Sequence, residues 1–384
     1  MRVYVIAGEP SGDRLGGALM AGLKTLVPDV QFHGIGGLDM QAEGLTSLFP
    51  MSELSIMGIA EVLPKYRHLM RRIEQTAQDV LETAPDVMIT IDSPDFCLRV
   101  AKRVRAASAV RTVHYVAPSV WAWRPGRADK MAKVIDHVLA LLPFEPPYME
   151  AAGMECDFVG HPVVAEQQAS EADELALRAR FGLADAPVLL VLPGSRRVEV
   201  SRLAPIFGAA LQPILEARPD MRVVVPAAEP VAELLPDLLA DWPGTPVILN
   251  PCQTSIMDKR ASFSTAEIGM AASGTVSLEL AAAGTPMVIA YKPSWLSWQI
   301  AKRLVELDTV TLVNLVSDTR TVPEFLGPDC TPDQIADGLQ QVMAAPQAQA
   351  NAMADTMRAL GKGGEAPGLR AARAVLDRLV AAQG

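Results

Sequence analysis

Short apolar runs alternate along the chain with amphipathic stretches of helical length, the pattern that βαβ units and a parallel sheet produce. In the first half, strands are predicted at Val3–Ala7, Gln31–Gly34, Val87–Ile91, Arg111–Val116, His137–Ala140 and Cys156–Val159. Helices are predicted between them at Leu15–Leu26, Ile59–Thr83 and Leu98–Ala107. A second series begins at Val188–Leu192 and continues through Arg222–Pro226, Val247–Asn250, Ser262–Thr265 and Pro286–Ala290. Two complete series, each with its own loop-to-helix turns, imply an α/β protein of two doubly wound, Rossmann-like domains facing each other across a cleft. Ligands of such folds lie at the carboxyl ends of the strands, so the cleft is the expected site. The expected domains are 1–170 and 171–346, joined by a polar linker within about 165–186. A helical tail, 347–384, is expected to pack back on the first domain or on a partner subunit, and its Gly361–Gly364 break leaves room for a homodimer with an exchanged tail.

Composition narrows the class. The 384 residues are half apolar and one fifth charged, enough for a large core without disulfides and unlike a disordered chain. Forty-four acids against 34 bases leave a net charge of −10, which argues against a general nucleic-acid binder. Cys97, Cys156, Cys252 and Cys330 are scattered without zinc-ligand spacing, so no metal site is expected and a reducing compartment fits. Only five apolar residues follow Met1-Arg2, too few for a signal peptide, and no apolar run could span a bilayer. The expectation is a cytoplasmic protein, attached at most to a membrane surface. A Walker loop and a GxSxG elbow are absent, and Asp39 stands where GxGxxG, begun at Gly34, needs its third glycine. No nucleotide or metal cofactor is therefore expected.

Several loops carry candidate chemistry. Gly8-Glu9-Pro10-Ser11-Gly12-Asp13 follows the first strand and opens a helix, whose N–H groups favour anions or sugar hydroxyls; alternatively Ser11 or Asp13 serves as a helix cap. Gly34 to Gly37, with Gly36 and Gly37, lies on the same sheet edge. The strand Val87–Ile91 runs into Asp92-Ser93-Pro94-Asp95, and Pro94 should hold Ser93 in an extended or turn conformation. One aspartate can cap the next helix while the other works as a general base, and Asp92, at the strand end, is the choice. Between Arg99 and Lys133 stand nine Lys/Arg and one acid, Asp129, an asymmetry suited to an anionic surface or a phosphorylated substrate. The segment from Met57 to Ile73 mixes Ile59, Val62, Leu63, Leu69 and Met70 with basic residues at helical spacing, which suits a membrane interface or an ordinary surface helix. In the second half, Gly194-Ser195-Arg196 should expose N–H groups and a guanidinium to a diphosphate. Gly274-Thr275 opens a helix able to hold a phosphate, and Glu279, one turn on, can accept both hydroxyls of a ribose.

In order along the chain stand Gly8-Glu9-Pro10-Ser11-Gly12-Asp13, Gly34–Gly37, Met57-Gly58-Ile59, Ile91 to Phe96, Tyr115 to Trp123, Leu141 to Glu145, Gly160-His161-Pro162, Leu192 to Arg196 and Gly274 to Glu279. This set resembles the lipid-A-disaccharide synthases, inverting glycosyltransferases of the GT-B fold, over nearly the whole chain. The resemblance implies transfer of 2,3-diacylglucosamine from its UDP derivative to 2,3-diacylglucosamine 1-phosphate, giving a β-1,6 disaccharide phosphate and UDP. It makes Asp92 the base and Arg196 essential to the donor site. Gly274, Thr275, Glu279 and Asn314 become nucleotide-site positions. It further implies a place on the inner face of the inner membrane, against an anionic surface. Pro10 and Ser93 replace small residues common in the family without removing a functional side chain. A UDP-sugar 2-epimerase would share the architecture without needing a lipid acceptor, and a silent lipid-binding module would keep the fold without the chemistry.

Overall fold

The computed structural model describes residues 1–54, 59–122, 126–295, 298–299 and 307–382, with the side chains of 59–65 outside that description. The chain divides into two compact units, Met1–Ala165 with Leu360–Gly384, and Glu166–Ala359.

The first unit is built on six parallel strands, β1 (Arg2–Ala7), β2 (Gln31–Ile35), β3 (Val87–Ile91), β4 (Arg111–Tyr115), β5 (His137–Ala140) and β6 (Glu155–Phe158), in the order β2-β1-β3-β4-β5-β6. Helices cover both faces, so β3 and β5 are buried throughout and read as unbroken apolar runs. Tyr4, Ile6 and Met88 face one core, and Val3, Val5 and Ile89 face the other. Chain direction across the sheet reverses between β1 and β3, whose register pairs Val3 with Val87 and Ala7 with Ile91. Their carboxyl ends are level, and the loops beginning at Gly8 and Asp92 emerge side by side. A Cβ on Gly8 would stand 2.5 Å from Ser93 Oγ, so the two loops meet only because residue 8 has none.

The second unit repeats the plan with β7 (Val188–Leu192), β8 (Arg222–Pro226), β9 (Val247–Leu249), β10 (Ile268–Ala272), β11 (Met287–Tyr291) and β12 (Glu324–Leu326), all parallel, ordered β12-β11-β10-β7-β8-β9. Its reversal lies between β7 and β10.

Differences from the sequence reading have local causes. Ser262–Thr265 is not a strand: Ser262 to Ser264 close the helix Ile256–Ser264, which Ser255 and Asp258 launch with a reciprocal capping box. The strand lies four residues later, in Ile268–Ala272, where glycine and alanine weaken the apolar signal. Helices begin earlier than their apolar pattern, at Pro10 and Pro94, because proline suits the first turn. Much of the polar stretch after Ala165 is ordered as the helix Glu171–Phe181, capped by Ser170 and Asp173. Within 347–384 the division falls between Ala359 and Leu360. The helix Gln347–Ala359 stays with the second unit, where the buried Gln349 side chain bonds Met287 N–H and both the Met287 and Thr321 carbonyls. The helix Pro367–Ala381 packs on Pro10–Leu26 in the first unit, so closely that a Cβ on Gly368 would reach 2.4 Å from Ala18 O.

Candidate active site

Beside the carboxyl ends of β3 and β4, a cavity of about 710 Å³ is lined by Asp92, Asp95, His114, Ser119, Arg127 and Lys130 among others. Three non-glycine residues on its rim hold positive φ, Asp92 at 50°, Ser93 at 43° and Val116 at 86°. Each such conformation costs on the order of 1–3 kcal/mol, most for a β-branched residue, and the sheet holds them. Asp92 N–H donates to Tyr115 O at 3.0 Å, and Val116 N–H to Leu139 O at 3.0 Å. Ser93 is thus left-handed, which is the turn rather than the extended alternative. It stands at the N-cap with no side-chain capping bond, so neither aspartate is spent as a cap. Among the described residues neither carboxylate has an ion pair or hydrogen-bond partner.

His114 forms part of the wall. Its Nδ1 lies 2.7 Å from Thr90 Oγ1, and the Thr90 hydroxyl also reaches Val113 O at 3.1 Å. Burial pushes its pKa down to about 4, so the ring is neutral near pH 7. Nearby, the Glu145 carboxyl accepts from Leu141 N–H, Leu142 N–H and Trp121 Nε1–H at 3.1, 3.0 and 3.2 Å, tying the loop after β5 to Trp121. Burial outweighs these donors and pushes its pKa up to about 7.

The other two glycine loops of this unit are tied to each other through Asp13. Asp13 is buried, and its carboxylate accepts from Gly37, Asp39 and Met40 N–H at 2.7–3.1 Å, capping the following helix Leu38–Ala42 rather than its own. Gly36 N–H donates to Ser47 Oγ at 3.2 Å. The Gly36 and Gly37 N–H groups are thus spent on Ser47 and Asp13. Gly12 packs against Ile91, while Glu9, Pro10 and Ser11 of that turn are exposed. Of the membrane-contact candidates, Met57 lies outside the described residues, as do the side chains of Ile59, Val62 and Leu63. Leu69 and Met70 are half-buried against the unit's own core. No helix among the described residues is long and apolar enough to cross a membrane.

At the second unit's reversal point, a cavity of about 300 Å³ brings together Gly194, Ser195, Glu199, Lys259, Gly274, Thr275 and Glu279. Ser195 N–H is not open as expected: it donates to Glu199 Oε2 at 3.1 Å. Gly194 has φ of 121°, and a Cβ there would strike the same carboxylate. Arg196 stands at the N-cap of the helix Arg197–Ala217, exposed beside the cavity and outside its lining. Thr275 and Val276 N–H groups open the helix Val276–Ala283 with no hydrogen-bond acceptor among the described residues. Glu279 Oε2 sits 2.6 Å from Lys259 Nζ. Asn314 is elsewhere: 1% exposed, it bonds Thr309 Oγ1 and clamps both backbone groups of Val322. Its amide is consumed in the core, which corrects its expected place in the nucleotide site. Sequence reasoning missed Lys259 and Glu199. The Ser255–Asp258 capping signal could have placed Lys259 on a helix; nothing pointed to Glu199.

A family model described as lipid-A-disaccharide synthetase matches residues 3–372. The chain belongs to the lipid-A-disaccharide synthase family. It is 69% identical to the lipid-A-disaccharide synthase of Ruegeria pomeroyi over 383 residues, covering 99% of this chain and 96% of that protein. Against the Rhodospirillum centenum enzyme of that name it is 48% identical over 381 residues, covering 98% and 94%. Membership in this family makes the chain a glycosyltransferase of lipid A biosynthesis. Among solved structures, UDP-GlcNAc 2-epimerase from Neisseria meningitidis, bound to UDP-GlcNAc, aligns with a TM-score of 0.66 at 13% identity, covering 99% of this chain and 100% of that one. At that identity the likeness shows the two-domain, Rossmann-like GT-B architecture alone, and an epimerase activity is not favoured.

Proposed function

We propose that the two cavities divide the family's reaction, the first taking the acceptor sugar and the second the uridine diphosphate of the donor. In this reading Asp92 removes the proton from the 6-hydroxyl of 2,3-diacylglucosamine 1-phosphate as that oxygen attacks the anomeric carbon of UDP-2,3-diacylglucosamine. The bond to UDP breaks from the opposite face, its electron pair passes to the diphosphate, and one displacement inverts the centre. Arg196 and the Thr275 and Val276 N–H groups stabilise the charge growing on the leaving diphosphate. Glu279, held by Lys259, accepts the ribose hydroxyls.

The observation that carries the reading is the Asp92 carboxylate, without a partner among the described residues, on the wall of the larger cavity. A general base contributes roughly 10²–10⁴-fold to turnover. Asp92→Asn should lose that factor with an unchanged melting temperature, while Asp95→Asn retains most activity. An active Asp92→Asn enzyme would overturn the assignment.

Lipid-bearing substrates support a peripheral position on the inner face of the inner membrane, against an anionic surface. The amphipathic helix Ile59–Thr83 is the contact candidate. The reading extends to a homodimer in which Pro367–Ala381 makes its contact with Pro10–Leu26 on a second copy.

A further inference from the structure

The helix Arg197–Ala217 and its N-cap begin in a run of cations, Arg196, Arg197 and Arg202, with one acid among them, Glu199. Among the described residues Glu199 forms no ion pair with any of the three. Its Oε2 accepts from Ser195 N–H at 3.1 Å instead, and its own N–H donates to Arg196 O at 3.0 Å. Those two bonds grip the backbone on both sides of Arg196, which is held extended at φ −110° and ψ 138°. An ordinary capping carboxylate at that helix position would take the N–H of Arg196 itself, and this one reaches a residue further back. Gly194 makes the reach possible, because its φ of 121° turns the chain over the carboxylate and any Cβ there would collide with Oε2.

The consequence is electrostatic. The lining of the second cavity has one cation among the described residues, Lys259, and Glu279 already compensates it. The positive charge that a diphosphate meets there must therefore come from Arg196, exposed beside the cavity and without a side-chain partner among the described residues. A Glu199 carboxylate turned towards Arg196 would neutralise it. Tied to Ser195, the carboxylate leaves the guanidinium uncompensated, and it fixes the backbone that carries it. We infer that Glu199 is a positioning residue for the donor's diphosphate, acting through Arg196. The inference rests on the proposed donor role of the second cavity and of Arg196.

The test titrates UDP into the full-length protein by calorimetry, in neutral detergent. Arg196→Ala should weaken UDP binding about tenfold, which checks the underlying reading. Two substitutions then separate reach from charge. Glu199→Asp keeps the charge on a side chain one methylene too short for Ser195, and should also weaken UDP binding about tenfold. Aspartate is at home in the first turn of a helix, so this variant keeps the fold. Glu199→Gln keeps an accepting oxygen at the right length and should bind UDP within about threefold of wild type. In an Arg196→Ala background Glu199→Asp should lose almost nothing more, because both act through one contact. Additive losses would make Glu199 a support of the fold unrelated to Arg196 and overturn the inference. Wild-type affinity in Glu199→Asp overturns it too, and so does tighter binding by both Glu199 variants, the mark of a carboxylate that repels the diphosphate. An unaffected Arg196→Ala protein overturns the donor-site reading itself, and the inference with it.

Discussion

Glu279 and Lys259 show how little a contact's own strength says about its use. Each side chain is about one third exposed, and an ion pair so open to water contributes little to stability. In the proposed function its value lies in orientation, since the lysine holds the carboxylate on the cavity wall. Hydrogen bonds to a charged group are worth about 1.5–3 kcal/mol. Glu279→Gln should thus raise donor KM roughly tenfold to a hundredfold, with the melting temperature almost unmoved, and Lys259→Gln should do the same more weakly. A lowered melting temperature with unchanged donor KM would assign the pair to the fold instead. At this scale the sequence was only partly readable. Asp92, Gly274, Thr275 and Glu279 stand where motif and strand end placed them, on cavity walls. Asp13 and Asn314 have the residue types of ligand contacts, yet their polar atoms are consumed by backbone groups of distant loops. Such partners lie 24 and 8 residues away and leave no mark in the local pattern.

Among the elements, the loop after β5 carries the pH response that can be read most directly. Glu145 titrates near 7 in the folded protein against 4.5 when exposed, because burial disfavours its charge. Between those values the folded state holds a proton that the unfolded chain has released. This group's contribution to stability therefore falls as pH rises from about 4.5 to about 7, and is level above. Glu145→Gln abolishes the titration. Melting curves at pH 5 and pH 7.5 should show the wild-type protein losing ground to the variant at the higher pH, whereas parallel curves would contradict the buried-acid account. Elements themselves were legible wherever burial on both sheet faces made strands uniformly apolar. They were missed where small residues form the strand, as in Ile268–Ala272, or where a serine–aspartate cap starts a helix with little amphipathic pattern, as in Ile256–Ser264.

For the molecule as a whole, two parallel sheets follow from two successive series of apolar runs, and each sheet carries a cavity at the carboxyl ends of its strands, beside β3 and β4 in the first and between β7 and β10 in the second. The boundary inside 347–384 was not legible, because alanine-rich helices give no clue to which sheet they cover. Gln349 and the Gly368–Ala18 contact decide it, and both depend on residues far along the chain. The family assignment makes this chain a glycosyltransferase of lipid A biosynthesis, and the proposal to be tested is that Asp92 assists the displacement. The direct measurement is UDP release from UDP-2,3-diacylglucosamine by the purified full-length protein, with and without 2,3-diacylglucosamine 1-phosphate, alongside Asp92→Asn. Release should require the acceptor, a β-1,6 disaccharide phosphate should form in step with UDP, and the Asp92→Asn protein should be slower by roughly 10²–10⁴-fold. UDP release that ignores the acceptor, or equal rates in the two proteins, would contradict the account.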